Sequence, residues 1–256
     1  MQLLKKTKKG ERGQVVVFFI LIIPILMLLL VTTVQFSKLV FEKIRLQETT
    51  DRAVYAGAGY LTEVLNQMAL LNWKVHQLFL DRKEDFLKNG SRKTEKEARN
   101  QIQKTLKDQE ALLSEMEELG QTAYPKAYQI ANRIFHEEFP QSNLTQVFQP
   151  PIVLKDGPQE TFYFDRINGV MVNPTGHERI PRVSLPLRMA FVKDPSTIVG
   201  FSASAEVKKQ GHALKALSAA EPYGGSLWRF ALSPEKSDAL FYRTARVPVE
   251  TFYDQK

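Results

Sequence analysis

Twenty consecutive positions, Val15 to Val34, carry no charge and only two polar side chains, Thr32 and Thr33. At about 1.5 Å rise per residue they make a helix of about 30 Å, the thickness of a bilayer's hydrocarbon core. Pro24 lies inside the run; such a proline usually kinks a membrane helix and is tolerated where neighbours satisfy the freed carbonyl. Beyond Val34 the pattern turns from continuous to periodic. Residues 36 to 88 hold no proline, and glycine only at Gly57 and Gly59. Leu46, Ala53, Val54, Leu61, Val64, Leu65, Met68, Leu71, Val75, Leu78 and Phe79 recur near helical, roughly heptad spacing. The span is therefore predicted to run on into one long helix that ends at the turn pair Asn89-Gly90.

A second helix is predicted over 93 to 119, with Ala98, Ile102, Leu106, Leu112, Leu113, Met116 and Leu119 on one stripe and Gly120 closing it. A third, shorter one follows over 122 to 138. Neither of the first two can bury its stripe alone, so they are expected to pack as an antiparallel hairpin. From Pro140 the composition changes. Pro150-Pro151, Asp156-Gly157-Pro158 and Asn173-Pro174-Thr175-Gly176 read as turns. Between and after them come strand-like runs at 161–164, 169–172, 183–192, 198–207, 226–232 and 239–249, and a possible short helix at 211–220. Pro186 marks its strand as an edge or a bulge. The expected fold class is α+β. A basic segment (1–13) precedes a transmembrane helix (14–35), a helical stalk or hairpin (36–139) and a β-rich domain (140–256), either a small sandwich or a sheet packed on the hairpin.

Charge gives the span a direction. The chain is basic overall, at +7, but residues 1 to 13 alone contribute +4 through Lys5, Lys6, Lys8, Lys9 and Arg12 against Glu11. Lysine and arginine beside a span stay on the cytoplasmic side, so residues 35 to 256 are expected outside, in the periplasm of a Gram-negative bacterium. The remaining excess is too thin for a nucleic-acid footprint. The apolar run exceeds a usual signal-peptide core, and the nearest small-x-small site, Ala56-Gly57-Ala58, lies too far downstream, so the anchor is expected to be retained. Absence of cysteine excludes disulfides and thiolate metal sites.

Catalytic patterns are missing. His76, His136, His177 and His212 stand apart, and Glu137 and Glu138 beside His136 point to different helix faces. No phosphate loop, nucleophile elbow or His-Glu-x-x-His occurs. No cofactor, no metal and no enzymatic activity are expected.

Order and spacing in the N-terminal quarter carry a resemblance. Arg12-Gly13-Gln14 precedes the span, Pro24 lies ten residues in, and Lys43-Ile44-Arg45-Leu46-Gln47 follows. Thr50-Asp51-Arg52-Ala53 then leads to Ala56-Gly57-Ala58. Residues 11 to 60 thus resemble the TadE/TadG-like proteins of the tight-adherence (Flp) pilus assembly system. The resemblance implies a membrane-anchored component of a Tad/Flp-type pilus or secretion apparatus, with other pilus or secretion-system subunits as partners. Small residues at Ala53, Gly57 and Gly59 permit close helix packing, within the chain or in a homo-oligomer through the N-terminal helix. Processed members of such systems keep a glutamate five residues after the cleavage-site glycine. Here Gly13 would place Phe18 at that position and Gly10 would place Val15. The chain is therefore closer to the anchored TadG type. The rival is a minor pilin or pseudopilin cleaved after Gly10 or Gly13 and carried to a pilus tip. A rival of another class, an anchored ligand-binding sensor, would need more than the 13 or so residues expected on the cytoplasmic side.

Overall fold

A computed structural model describes residues 11–148, 152, 154–164, 183–192, 199–209, 211–224 and 242–247. Gly10, the Pro150-Pro151 and 173–176 turns, His177, and the strands expected at 169–172 and 226–232 lie outside these residues.

The backbone of the molecule is helix α1, Glu11–Asn89, unbroken over 79 residues and thus about 120 Å long. Pro24 lies within it. A short 3-10 turn, Gly90–Arg92, reverses the chain at the place that Asn89-Gly90 marks in the sequence. Helix α2, Glu95–Glu138, then runs back along α1. Its start is fixed by a capping box: Glu97 N–H donates to Thr94 Oγ1 at 3.3 Å, and Thr94 N–H donates to Glu97 Oε2 at 2.8 Å. That amide pulls the Glu97 carboxyl below its ordinary range.

The two helices predicted over 93–119 and 122–138 are one. Gly120 does not end α2 but lies inside it. A Cβ at Gly120 would stand 3.1 Å from the Ile152 carbonyl oxygen and 3.5 Å from Met68 Cε. The glycine therefore serves close approach, a reason that helix-stop reasoning on the sequence does not weigh.

Strands β1 (Leu144–Phe148), β4 (Phe201–Lys209), β5 (His212–Gly224) and β6 (Tyr242–Arg246) form one antiparallel sheet in the order β1-β4-β5-β6. Strands β2 (Leu154–Phe164) and β3 (Val183–Val192) pair as a separate antiparallel ribbon. The short helix expected at 211–220 is instead strand β5. Its Ala, Leu and Lys residues favour a helix locally, but full pairing with β4 from Phe201↔Ala220 to Lys209↔His212 overrides propensity. Gly211 closes that hairpin at φ +80°, a left-handed backbone that suits glycine. Asp156-Gly157-Pro158, read as a turn, lies within β2, where the register slips between Pro158 and Glu160. Among the described residues each strand of this ribbon has one edge without a strand partner, which accommodates Pro158 and Pro186.

One continuous core joins these parts. It takes Leu61, Leu65, Met68, Val75 and Phe79 from α1, and Met116, Ala127, Ala131 and Phe135 from α2. The strands add Leu144, Leu185, Leu187, Phe201, Ala203 and Ala216. The described strands lie alongside the helical hairpin. The four-stranded sheet lies along the stretch of α1 just after the apolar run, through contacts from Glu42–Lys209 to Asn66–Tyr242. The ribbon lies nearer the tip, where Phe162 stacks on Phe86 with centroids 6.5 Å apart. Replacing Gly120 with leucine is expected to leave helix content intact and lower stability in detergent by about 1–3 kcal/mol through overpacking against Ile152, read from a denaturant midpoint. An unchanged midpoint would show that close approach at Gly120 contributes nothing to stability.

Candidate anchoring and assembly helix

Along α1 the surroundings change at about residue 45. From Val17 to Ile44 nearly every large apolar side chain is exposed: Phe36 is 69% and Phe41 67% accessible. The most apolar window has mean hydropathy 3.0, and no part of it is buried by the rest of the chain. Its hydroxyls are satisfied internally, Thr32 and Thr33 donating to the Leu29 carbonyl at 2.9 and 2.7 Å. This window is long and apolar enough to cross a membrane, and its two hydroxyls are bonded within the helix.

From Leu46 onward the same helix is covered by its own chain. Leu46, Ala53, Val54 and Ala58 are fully buried. Gly57 lies beneath the Phe201 ring of β4, where a Cβ would stand 2.9 Å from two ring carbons. Gly59 faces β6, its Cβ position 3.9 Å from Thr244 Oγ1. What lies against Gly57 and Gly59 is thus the chain's own sheet. That sheet also meets α1 with small side chains, including Ala203, Ala205, Ala216 and Ala220, all buried. Small residues on both sides let helix and sheet approach closely.

Polar side chains of α1 fix the sheet's register. Gln47 Nε2 donates to the Leu217 carbonyl at 2.7 Å and to Asp51 Oδ1 at 2.9 Å. Asp51 lies 3.8 Å from Arg246, and Thr62 and Thr244 share a hydroxyl bond of 2.8 Å. Asn66 holds the first residue of β6 at both ends, accepting from Tyr242 N–H at 2.8 Å and donating to its carbonyl at 3.2 Å. At the foot of α2, Arg45 is bonded to Glu138, its Nε at 3.2 Å, with Arg52 at 3.6 Å from the same carboxylate. Arg45 holds the Glu138 carboxyl below its ordinary range. Both groups are exposed, so the pair contributes direction more than stability. The tip carries a tighter cluster: Asp85 accepts from Lys93, from Arg82 at 3.2 Å and from Asn89 at 3.2 Å. The Lys93 bond is the main cause of a lowered Asp85 carboxyl. Burial drives the Tyr124 phenol upward, against a weaker pull from the Gly200 amide. Among the described residues no group of three His, Cys, Asp or Glu stands close enough to hold a metal.

Residues 13–59 match the family model of Flp pilus-assembly TadE/G-like proteins. The matched stretch holds both regimes of α1: the exposed apolar segment, and the small and polar residues on which the sheet is seated. Gly13 lies in the first turns of α1, while Gly10 falls outside the described residues. The matched stretch does not separate the TadE from the TadG type. No curated protein and no solved structure matches the chain. Gln47 and Asp51 were legible in the sequence as members of the Lys43-to-Gln47 and Thr50-to-Ala53 segments. The reach of Thr62 and Asn66 to β6, and the Phe201 ring over Gly57, carry no sequence signal short of a strand register.

Two outcomes are expected here. Gly57→Val should destabilise by about 1–3 kcal/mol through overpacking, and Phe201→Ala in the same chain should recover part of that loss, a coupling that thermal unfolding of the four chains of the cycle measures. For Asp85 the folded carboxyl titrates below its unfolded value of about 3.9. Its stabilisation is therefore complete above that value and is lost as pH falls through the folded one. Asp85→Asn should flatten that acid limb in a pH series of unfolding midpoints and change little of the pH dependence between neutrality and about pH 5.

Proposed function

We propose that this chain is a membrane-anchored, non-enzymatic component of a Tad/Flp-type pilus assembly or secretion apparatus in a bacterial inner membrane. Residues 14–35 span the bilayer once, the basic N-terminal segment stays in the cytoplasm, and the folded part from residue 36 lies in the periplasm. The supporting observation is a coincidence of positions: the TadE/G-like match at 13–59 covers the one helical segment that is apolar and uncovered among the described residues. An apolar helix of that length has two sinks, lipid or the apolar helices of other subunits. A subunit of a membrane-bound assembly machine uses both.

The anchored, TadG-like reading is favoured over a processed minor pilin by Phe18, which stands where a glutamate is kept in processed members. The small residues from Ala53 to Gly59 are occupied within the chain, so contacts with other subunits, including a second copy, fall on the exposed face from Val17 to Ile44. Nucleic acid is not among the partners. Mass spectrometry of the protein from cells, with blotting of sheared pili, tests this. An N-terminus intact through Gly10 and Gly13, in a protein confined to the membrane fraction, is the expected result. Cleavage after either glycine with recovery in sheared pili would establish the pilin reading.

A further inference from the structure

The β4–β5 hairpin points back along α1 toward the apolar segment. β5 meets α1 at Gln47 through Leu217, and the hairpin's end reaches Glu42, which lies 3.9 Å from Lys209. A groove of about 570 Å³ opens at this level between the hairpin and α1. Val34, Leu39 and Phe41 give it apolar surface, and Lys38, Lys209 and Glu42 line it as well. Val34 ends the uncharged run, so Lys38 lies about 6 Å and Glu42 about 12 Å beyond it along the helix. The headgroup layer is roughly 5–8 Å thick on each side of the hydrocarbon core. The hairpin's end thus stands at the outer edge of that layer, within reach of lysine stems.

Both signs of charge meet at this end, with lysines in excess over Glu42, Glu206 and Glu138. Lys38, Lys43, Lys208, Lys209 and Lys215 are exposed. The carboxylates among them are taken: Glu42 by Lys209, and Glu206 by Lys215 at 3.4 Å. Lys38, Lys43 and Lys208 have no carboxylate within ion-pair distance among the described residues. Phe36, Val40, Phe41 and Ile44 extend the exposed apolar surface of α1 up to the same level. Cations above an apolar wall that is continuous with a membrane span match one kind of surface, anionic phospholipid.

Resting on the reading that residues 14–35 cross a bilayer, we infer that the end of the β4–β5 hairpin is a lipid contact. Lys38 and Lys208 hold the phosphates of anionic headgroups, Lys209 beside them is shared with Glu42, and an acyl chain lies against Val34 and Phe41. This second contact holds the sheet down on the membrane and fixes the direction in which the helical hairpin leaves it.

The chain has no cysteine, so single labels are clean. Full-length protein carrying a fluorophore at Ala213→Cys, on the exposed face of the hairpin, is placed in nanodiscs with headgroup-attached quencher. The discs are phosphatidylcholine alone or phosphatidylcholine with phosphatidylglycerol. Quenching is expected to be greater in the anionic discs, and the excess should fall at least fivefold, on the order expected for removal of each cation from an anionic surface, when Lys38, Lys208 and Lys209 are changed to glutamine. Equal quenching in both discs, or an excess that survives the substitutions, overturns the inference. A label at Leu28→Cys with quenchers in the acyl chains separates the two failures. If Leu28 is quenched while Ala213 is indifferent to lipid charge, the span stands and the lipid contact falls. If Leu28 is not quenched, the membrane reading itself fails.

Discussion

One helix must satisfy two solvents. α1 is continuous from Glu11 to Asn89, and a helix satisfies its own backbone wherever it goes. Its side chains divide. To Val34 they are apolar and uncovered, to Ile44 apolar and charged residues alternate on an exposed surface, and from Leu46 they form one wall of the protein's core. Unbroken hydrogen bonding between the halves means that the orientation of the first is handed on to the second. The fold has no flexible joint between Val34 and the first residues that the sheet covers, and every other element is placed relative to this rod.

What lets a sheet lie on such a rod is the absence of side-chain bulk. Gly57 under Phe201, and the fully buried Ala53 and Ala58, open a shallow bed on α1, and the buried alanines of β4 and β5 lie on it. Apolar contact of this kind is strong but poor at fixing position, because small side chains interlock little. Position comes from the polar groups at the margins: Gln47 on Leu217, Thr62 on Thr244, and Asn66 on both ends of Tyr242. The ladder of contacts runs about 30 Å along α1. β6, far from β5's hairpin end in sequence, is located by Thr62 and Asn66.

Much of this was legible in the sequence because it depends on local pattern. Continuous apolarity marked the span, period-3.6 recurrence marked the hairpin, and Asn89-Gly90 marked its tip. The run at 183–192 is β3 residue for residue. The misreadings share one cause. Gly120 and Asp156-Gly157-Pro158 look like breaks when only neighbours in sequence are weighed. In the fold the glycine makes room for the Ile152 carbonyl, and the proline sits on a ribbon edge. Residues 211–220 have helix-forming composition, and ladder pairing with β4 and β6 makes them a strand. Of the assembly helix, the sequence exposed which residues were small; it did not expose what would lie on them.

The central claim is that α1 passes through the bilayer at its apolar half and leads the folded half out on the other side. Substituted-cysteine labelling in intact cells tests it most directly, since the native chain offers no thiol. A membrane-impermeant maleimide should modify Lys96→Cys, exposed near the hairpin tip, before the inner membrane is broken. It should reach Leu28→Cys in no aqueous condition. Modification of Lys96→Cys only after lysis, or of Leu28→Cys in intact membranes, would contradict the account.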